Sequence, residues 1–511
     1  MTGIRDGVMS VLGKRQDLRF VVIGAGMAGI LAGIKLLQAG YRNVMLYEKA
    51  DRIGGTWREN TYPGLTCDVP SHSYTYSFEP NPDWTRYLPP GAEIQAYFER
   101  TTRKYGVDKI IRFNEEIIRC EYQQRQWHLE TRSGIRDVAD VVVAATGVLH
   151  VPRYPAIDGM ESFSGDLFHT ARWDHSVPLD GRRIGVIGTG STGVQIVSAL
   201  SERMQKLVHF QRTPQWIMPV ENPFFSEEQK QAFRNDPELL KYMQNEPEYL
   251  ANVERFNNAI VEPDSPAMHE IEAIVRDNLE NSVDDPVLRE KLRPNYRAAC
   301  KRLIYSPDFY QAVQRPAVEV ETGAIDRIEP KGVRMKDGTL HELDIIALAT
   351  GFQADQFMRP MNVTGRGGVQ LNDVWAARPR AYMAISIPEF PNLFMLNGPN
   401  GPVGNFSLID IAEHQWHYIE QLIALIDSGK YGEVSASKEA LEVFDSERIA
   451  AAKRTIFGSG CQSWYLDAEG VPATWPWSQQ RFYEAMSQPD YTAYQLVALA
   501  EATADSAVSD T

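Results

Sequence analysis

An α/β fold with two dinucleotide-binding (Rossmann-like) domains, one carrying a helical insertion, is predicted by three features of the sequence. Two glycine-rich strand–turn–helix units occur. A short apolar strand ending in Ala-Thr-Gly occurs twice. A polar stretch of helical period lies between the second glycine unit and the second copy of that strand.

The first unit starts at Arg19. The β-type run FVVIG leads into Gly24, Gly26 and Gly29, a helical pattern ends near Gly40, and a second strand, NVMLYE, ends in Glu48. A bare GxGxxG is weak evidence, but this one has its strand, its helix and its acid. Gly24 permits the tight turn, Gly26 lets the backbone approach a pyrophosphate, and Gly29 lets the helix pack close to the sheet. The helix N-terminus then offers unpaired N–H groups to the phosphates. The second unit starts at Arg182 and carries Gly188, Gly190 and Gly193, with Thr189, Ser191 and Thr192 between them. Glu48 lies 24 residues after Gly24, and Arg212 lies 24 residues after Gly188. A carboxylate there suits a free ribose 2′-OH, and an arginine suits a 2′-phosphate. The first unit is therefore expected to hold the adenosine of FAD or NAD, and the second NADP.

The segments DVVVAATG, from Asp140, and DIIALATG, from Asp344, are near-copies 204 residues apart. They read as the strands where the chain passes from one nucleotide domain to the other. The expected organisation is a first FAD-binding part over 18–150, an NADP-binding domain over 151–220 and 299–350, a helical insertion over 221–298, a second FAD-binding part over 351–500, and a disordered tail over 501–511.

Composition excludes other classes. A chain of 511 residues has the length of about three domains. Its net charge of −15 argues against nucleic-acid binding. Phe20 to Leu37 is apolar enough to suggest a membrane span, but its four glycines belong to the nucleotide motif, and no targeting segment is visible. Cys67, Cys120, Cys300 and Cys461 lie far apart without a CxxC, which argues against a disulfide framework, a zinc or other metal site and a redox dithiol. A reducing, cytoplasmic setting is the expectation.

Two nucleotide sites in one chain imply hydride transfer from a nicotinamide to a flavin. A disulfide reductase would need paired cysteines beside the flavin, so the electrons are expected to reach dioxygen, or a quinone or other carrier.

Two further motifs carry a resemblance. FSGDLFHTARWD places Phe163, Gly165, His169, Trp173 and Asp174 on the pattern FxGxxxHxxxW[P/D]. GTWRENTYPGLTCD places Gly55, Trp57, Tyr62, Pro63, Gly64 and Asp68 on a second pattern. Together they resemble the fingerprints of Baeyer–Villiger monooxygenases, within the class B flavoprotein monooxygenases, over roughly residues 18 to 480. Related amine and sulfide oxygenases usually lack the acid after the aromatic residue, so Trp173-Asp174 favours the Baeyer–Villiger branch.

The resemblance implies that FAD is reduced by NADPH and reacts with O2 to a C4a-peroxyflavin, which attacks a ketone to give an ester or lactone. Sulfides are a further expected substrate class. It implies that Arg302, in the pair Lys301-Arg302, stabilises the anionic species, with Asp68 as its carboxylate partner. It also implies that Gly55, Thr56, Trp57, Asp68, Tyr74 and Ile117 belong to the FAD site. Arg212, Thr213 and Lys301 are expected at the NADP 2′-phosphate, Gln195 near the nicotinamide, and Trp464, on a mobile control loop, at the NADP ribose. Asn405 and Phe406 are expected in the substrate pocket. His169 is read as a linker residue that bridges backbone groups rather than a proton-transfer group, and Trp173 as packing. The alternatives are a flavin-containing monooxygenase forming N-oxides or S-oxides, and an NADPH–flavin reductase feeding a partner. The identity of the ketone is not encoded in any short motif.

Overall fold

The computed structural model describes residues 17–402 and 407–499. The expected tail and the two pocket residues, Asn405 and Phe406, lie outside the described residues.

Two five-stranded parallel sheets organise the chain. The first runs Leu393–Met395, Val141–Ala144, Phe20–Ile23, Val44–Tyr47 and Ile111–Arg112. The second runs Val318–Glu321, Lys206–Phe210, Arg183–Ile187, Ile345–Leu348 and Asp166–His169. Inside the two sheets, Phe20–Ile23, Val141–Ala144 and Ile345–Leu348 are buried along their whole length, which is why they read as unbroken apolar runs and not as alternating ones.

The repeated strand and the glycine motif form one device in each sheet. Val141–Ala144 pairs with Phe20–Ile23, and Ile345–Leu348 pairs with Arg183–Ile187. Gly24 has φ +100° and Gly188 has φ +123°. A Cβ on Gly24 would lie 2.6 Å from the Ala145 carbonyl oxygen, and one on Gly188 would lie 2.2 Å from that of Ala349. The alanine after each repeated strand therefore presses its backbone against the glycine turn, and only glycine fits. Beyond Ala144 the chain crosses to the second sheet at Asp166–His169. Beyond Leu348 it returns to the first at Leu393–Met395.

Between Met218 and Ile304 the chain forms five helices, Glu227–Asn235, Pro237–Gln244, Pro247–Val261, Pro266–Ser282 and Pro286–Leu292. Four begin with proline, whose missing N–H costs nothing at that position, and Ser226, Asp236, Ser265 and Asp285 accept hydrogen bonds from first-turn N–H groups. Pro266–Ser282 buries Met268, Ile271, Val275 and Leu279, a single stripe at helical spacing. No helix among the described residues is long and apolar enough to cross a membrane.

One expectation from the cysteines is corrected. Cys300 and Cys461, 161 residues apart in sequence, form a disulfide with a Cα–Cα separation of 6.2 Å. Cys67 and Cys120 are buried free thiols. Sequence spacing gave no sign of the pair because the fold, not a local motif, returns the second cysteine to the first.

Two buried histidines link stability to pH. His209 packs edge-on against Phe309 and bonds the Gly188 carbonyl through Nε2 at 3.0 Å, which fixes the second glycine turn. His72 lies against Phe225 and Phe233. Burial pushes both down to about 4 from an ordinary value near 6.5. Below pH 6.5 the unfolded chain takes up protons that the folded chain refuses. The stability is therefore complete above pH 6.5 and is lost as the pH falls toward 4. Each histidine is expected to remove about 2 kcal/mol by pH 5. Urea denaturation at pH 7.5 and pH 5.0 checks this, and an unchanged or higher midpoint at pH 5.0 contradicts it.

Candidate active site

The first glycine turn ends at Gly26, which starts helix Met27–Gln38 without any side-chain cap. Its first N–H groups are open to an anion. Gly26 faces Gly55, with 3.5 Å between the position of a Cβ and the Gly55 Cα. A Cβ on Gly29 would fall 1.9 Å from the Gly24 oxygen, so the helix seats directly on the turn. Glu48 is 4% exposed. Its two oxygens accept from the Ala25 N–H at 2.8 Å and the Ala50 N–H at 3.0 Å, and each keeps a lone pair for a further donor. Thr56 and Trp57 open the short helix after Gly55, and Trp57 Nε1 donates to the Tyr74 hydroxyl at 3.1 Å. Ile117 is buried at the start of strand Ile117–Gln123. This cradle of glycines, bare N–H groups and a buried carboxylate fits the adenosine diphosphate half of a flavin dinucleotide.

The second turn repeats the design. Gly190 begins helix Ser191–Leu200 without a side-chain cap and has open space where a Cβ would be. Gly193 seats on Gly188, with 2.2 Å from a Cβ to the Gly188 oxygen. Thr189 Oγ1 donates to the Thr213 carbonyl at 2.9 Å and ties the turn to the segment after Arg212. Lys301 stands over the Tyr296 ring, 4.6 Å from its centroid. Burial and then the Arg212 charge push the lysine below its usual range. Two cations acting on each other at one mouth form a site built for a dianion. A cleft of about 780 Å³ opens there, lined by Thr213, Lys301, Tyr296 and the segment 459–462. The donor set fits an NADP adenosine with its 2′-phosphate.

The two units meet through the Tyr62–Asp68 loop. Gly64, at φ +82°, would carry a Cβ only 2.5 Å from the Gln195 carbonyl oxygen, so the loop lies directly on the second helix. Thr192 Oγ1 donates to the Tyr62 hydroxyl at 3.3 Å, and that hydroxyl donates to Gln195 Oε1 at 2.9 Å. Gln195 Nε2 donates to the Thr66 carbonyl and hydroxyl oxygens, both at 3.1 Å. Gln195 thus holds the loop that ends in Asp68.

Asp68 accepts a hydrogen bond from Arg302 Nη2 in a close ion pair. The Tyr465 phenol, 3% exposed, acts electrostatically on the Arg302 guanidinium. Burial works against the arginine's charge, but Asp68 and Tyr465 outweigh it and raise its pKa above the ordinary value. Burial raises the Tyr74 and Tyr305 hydroxyls, so neutral phenols line the surroundings of the ion pair.

The remaining predicted residues lie around this contact. Gly165 is pinned, since a Cβ would meet the Asp344 oxygen at 2.3 Å, with the Phe163 ring at 2.8 Å. His169 is 1% exposed, at the end of the edge strand of the second sheet. Its Nδ1 accepts from the Ala171 N–H at 3.1 Å, so Nε2 carries the proton and donates to the Gly351 carbonyl at 3.1 Å. Trp173 is buried edge-on against Phe168, and Asp174 accepts from the Ser176 N–H and hydroxyl in a local turn. Arg172 pairs with Glu59 and His175 with Thr61, joining this segment to the first unit. Trp464 is 40% exposed and lies against Tyr465. Sequence reasoning missed Thr66 and the Cys300–Cys461 pair, because each makes its contact across the fold and sits in no motif that names it.

A family described as pyridine nucleotide-disulphide oxidoreductase matches residues 18–243. An uncharacterised monooxygenase of Mycobacterium tuberculosis (strain H37Rv) is 44% identical, with 89% of this chain and 92% of the relative covered. A Baeyer–Villiger monooxygenase of Streptomyces coelicolor is 34% identical, with 97% of this chain and 96% of the relative covered. The crystal structure of cyclohexanone monooxygenase from Rhodococcus sp. Phi1 bound to NADP⁺ superposes with a TM-score of 0.83 at 28% identity, covering 94% of this chain and 99% of the other. The chain is an enzyme, a monooxygenase with FAD and NADPH as its cofactors.

Arg212→Ala is expected to raise the KM for NADPH roughly 10- to 100-fold, the worth of one charge-assisted hydrogen bond, while the KM for NADH moves little. Steady-state oxidation of both nucleotides measures this, and equal changes in the two contradict the 2′-phosphate assignment.

Proposed function

The chain belongs to the Baeyer–Villiger monooxygenase family, and on that premise we propose that it converts ketones to esters or lactones. The reaction is ketone + O2 + NADPH + H⁺ giving ester, water and NADP⁺. The observation that carries this reading is the Arg302 guanidinium, held charged by its ion pair with Asp68 where the two nucleotide units meet. Bound FAD, reduced by NADPH, supplies the activation of dioxygen.

The protein's own residues then have these roles. Gly24, Gly26, Gly29 and Gly55 admit the flavin's pyrophosphate, Glu48 receives its ribose, and Thr56, Trp57, Asp68, Tyr74 and Ile117 line its remaining length. Gly188, Thr189, Gly190, Ser191, Thr192 and Gly193 take the NADP pyrophosphate. Arg212, Thr213 and Lys301 take the 2′-phosphate, Trp464 covers the ribose, and Gln195 sits toward the nicotinamide. Arg302 is aimed at oxygen atoms that gain negative charge when a carbonyl is attacked. A fixed cation in a site poor in water stabilises that charge without reorganising. A guanidinium fork has donors for more than one acceptor, so it turns between Asp68 and the reacting oxygen without losing its charge.

Sulfides are a second substrate class for the same site. Oxygen transfer to sulfur is electrophilic and builds no carbonyl oxyanion, so it leans less on Arg302.

Arg302→Ala is expected to retain FAD and to lose ester formation by at least about 10²-fold, the scale of one removed oxyanion donor. Thioether oxidation should fall less. Product analysis by gas chromatography on a ketone and a thioether measures both, and near-normal ketone turnover in the variant contradicts the assignment.

A further inference from the structure

Tyr296 lines the nucleotide cleft beside Thr213 and Lys301. Its ring carries the Lys301 ammonium 4.6 Å from the centroid. Its hydroxyl stands 2.8 Å from the Pro214 carbonyl oxygen and 2.9 Å from Gln215 Oε1, and shares its one proton between these two acceptors. Gln215 Nε2 donates in turn to Thr189 Oγ1 at 3.3 Å, and Thr189 Oγ1 donates to the Thr213 carbonyl at 2.9 Å. The Trp216 indole N–H donates to the Tyr296 carbonyl at 2.7 Å, which fixes the main chain of the tyrosine to the same segment. One side chain thus touches both arms of positive charge at the cleft. Its face seats Lys301, and its hydroxyl ties the turn after Arg212 and Thr213 back to the second glycine turn.

We propose that Tyr296 is a positioning residue that sets the preference for a 2′-phosphate: its ring and hydroxyl hold Lys301 and the Arg212–Thr213 turn where one dianion meets both. An aromatic face attracts an ammonium through its quadrupole and leaves the full charge of the cation for an incoming anion. A carboxylate in that place would neutralise the lysine and repel the phosphate. Lysine has a flexible four-carbon stem, so seating it before the ligand arrives removes an ordering cost that binding would otherwise carry. Two cations at one mouth repel each other, and a neutral scaffold that touches both arms holds them together. The role in selectivity rests on the reading that Arg212 and Lys301 take the 2′-phosphate, whereas the contacts of Tyr296 do not.

The FAD-loaded protein is titrated with NADP⁺ and with NAD⁺ in a calorimeter, which needs no turnover. Tyr296→Leu removes ring and hydroxyl together and is expected to weaken NADP⁺ binding roughly tenfold. Tyr296→Phe keeps the ring and is expected to weaken it about threefold, the loss of one neutral hydrogen bond. NAD⁺ has no 2′-phosphate, so its affinity should stay within about twofold of wild type in both variants, whereas a merely structural lesion would weaken the two nucleotides alike. Beside Lys301→Ala the two variants should differ from each other by less than about twofold, because the ring then has no ammonium to seat. If Tyr296→Leu does not fold, Tyr296→Met takes its place. Unchanged NADP⁺ binding in Tyr296→Leu, equal weakening of NADP⁺ and NAD⁺, or a full ring effect without Lys301 overturns the proposal. A wild-type protein that binds the two nucleotides alike removes the 2′-phosphate assignment itself and the proposal with it, whereas a wild type that discriminates, beside a Tyr296→Leu that discriminates as well, removes the proposal alone.

Discussion

The ion pair between Arg302 and Asp68 is the constraint around which the molecule is arranged. Its partners lie 234 residues apart and come from different dinucleotide units. Half-burying both charges is costly unless they meet with good geometry, and removing one would strand the other. Their meeting requires the Tyr62–Asp68 loop to lie directly on helix Ser191–Leu200, which in turn requires glycine at 64 and a polar clasp at Gln195. The relative placement of the two sheets is thus written into a few contacts between a loop and a helix. The same contacts fix where the cation of the pair stands relative to both units.

The same logic explains the duplicated architecture. Each unit presents a helix N-terminus without a side-chain cap to an anion, and each holds the turn before it by pressing an alanine carbonyl on a left-handed glycine. The units differ where their ligands differ. A buried carboxylate, already engaged with backbone N–H groups, ends the second strand of the first unit. Two mutually repelling cations stand at the corresponding mouth of the second. The linker at 163–175 ties them, with His169 spanning two backbone groups and Arg172 reaching Glu59.

Much of this was legible in the sequence because it depends on local backbone demands. A turn with φ of +100° or more and a carbonyl pressed against it leaves glycine as the fitting residue, so Gly24 and Gly188 announce themselves, and the Ala-Thr-Gly repeat announces its strand. The helical period of the stretch after residue 221 was legible too, whereas its division by proline and capping side chains into five helices came from the structure. Contacts made by closure of the whole fold left no such trace. Thr66 meets Gln195 across 129 residues, and nothing local distinguishes it. Cys300 and Cys461 sit in unrelated segments, and their wide spacing argued against the bond they form. The Lys301-Arg302 pair was found by its neighbourhood, whereas its geometry needed the structure.

The measurement that tests the central claim most directly is oxygen-isotope tracing. The FAD-loaded protein is incubated with NADPH, a small cyclic ketone and ¹⁸O2, and the product is analysed by mass spectrometry. The account predicts a lactone carrying one ¹⁸O atom, in the ring position, with one NADPH oxidised per lactone formed. NADPH oxidation that releases only labelled hydrogen peroxide across a panel of cyclic, linear and aromatic ketones would contradict it.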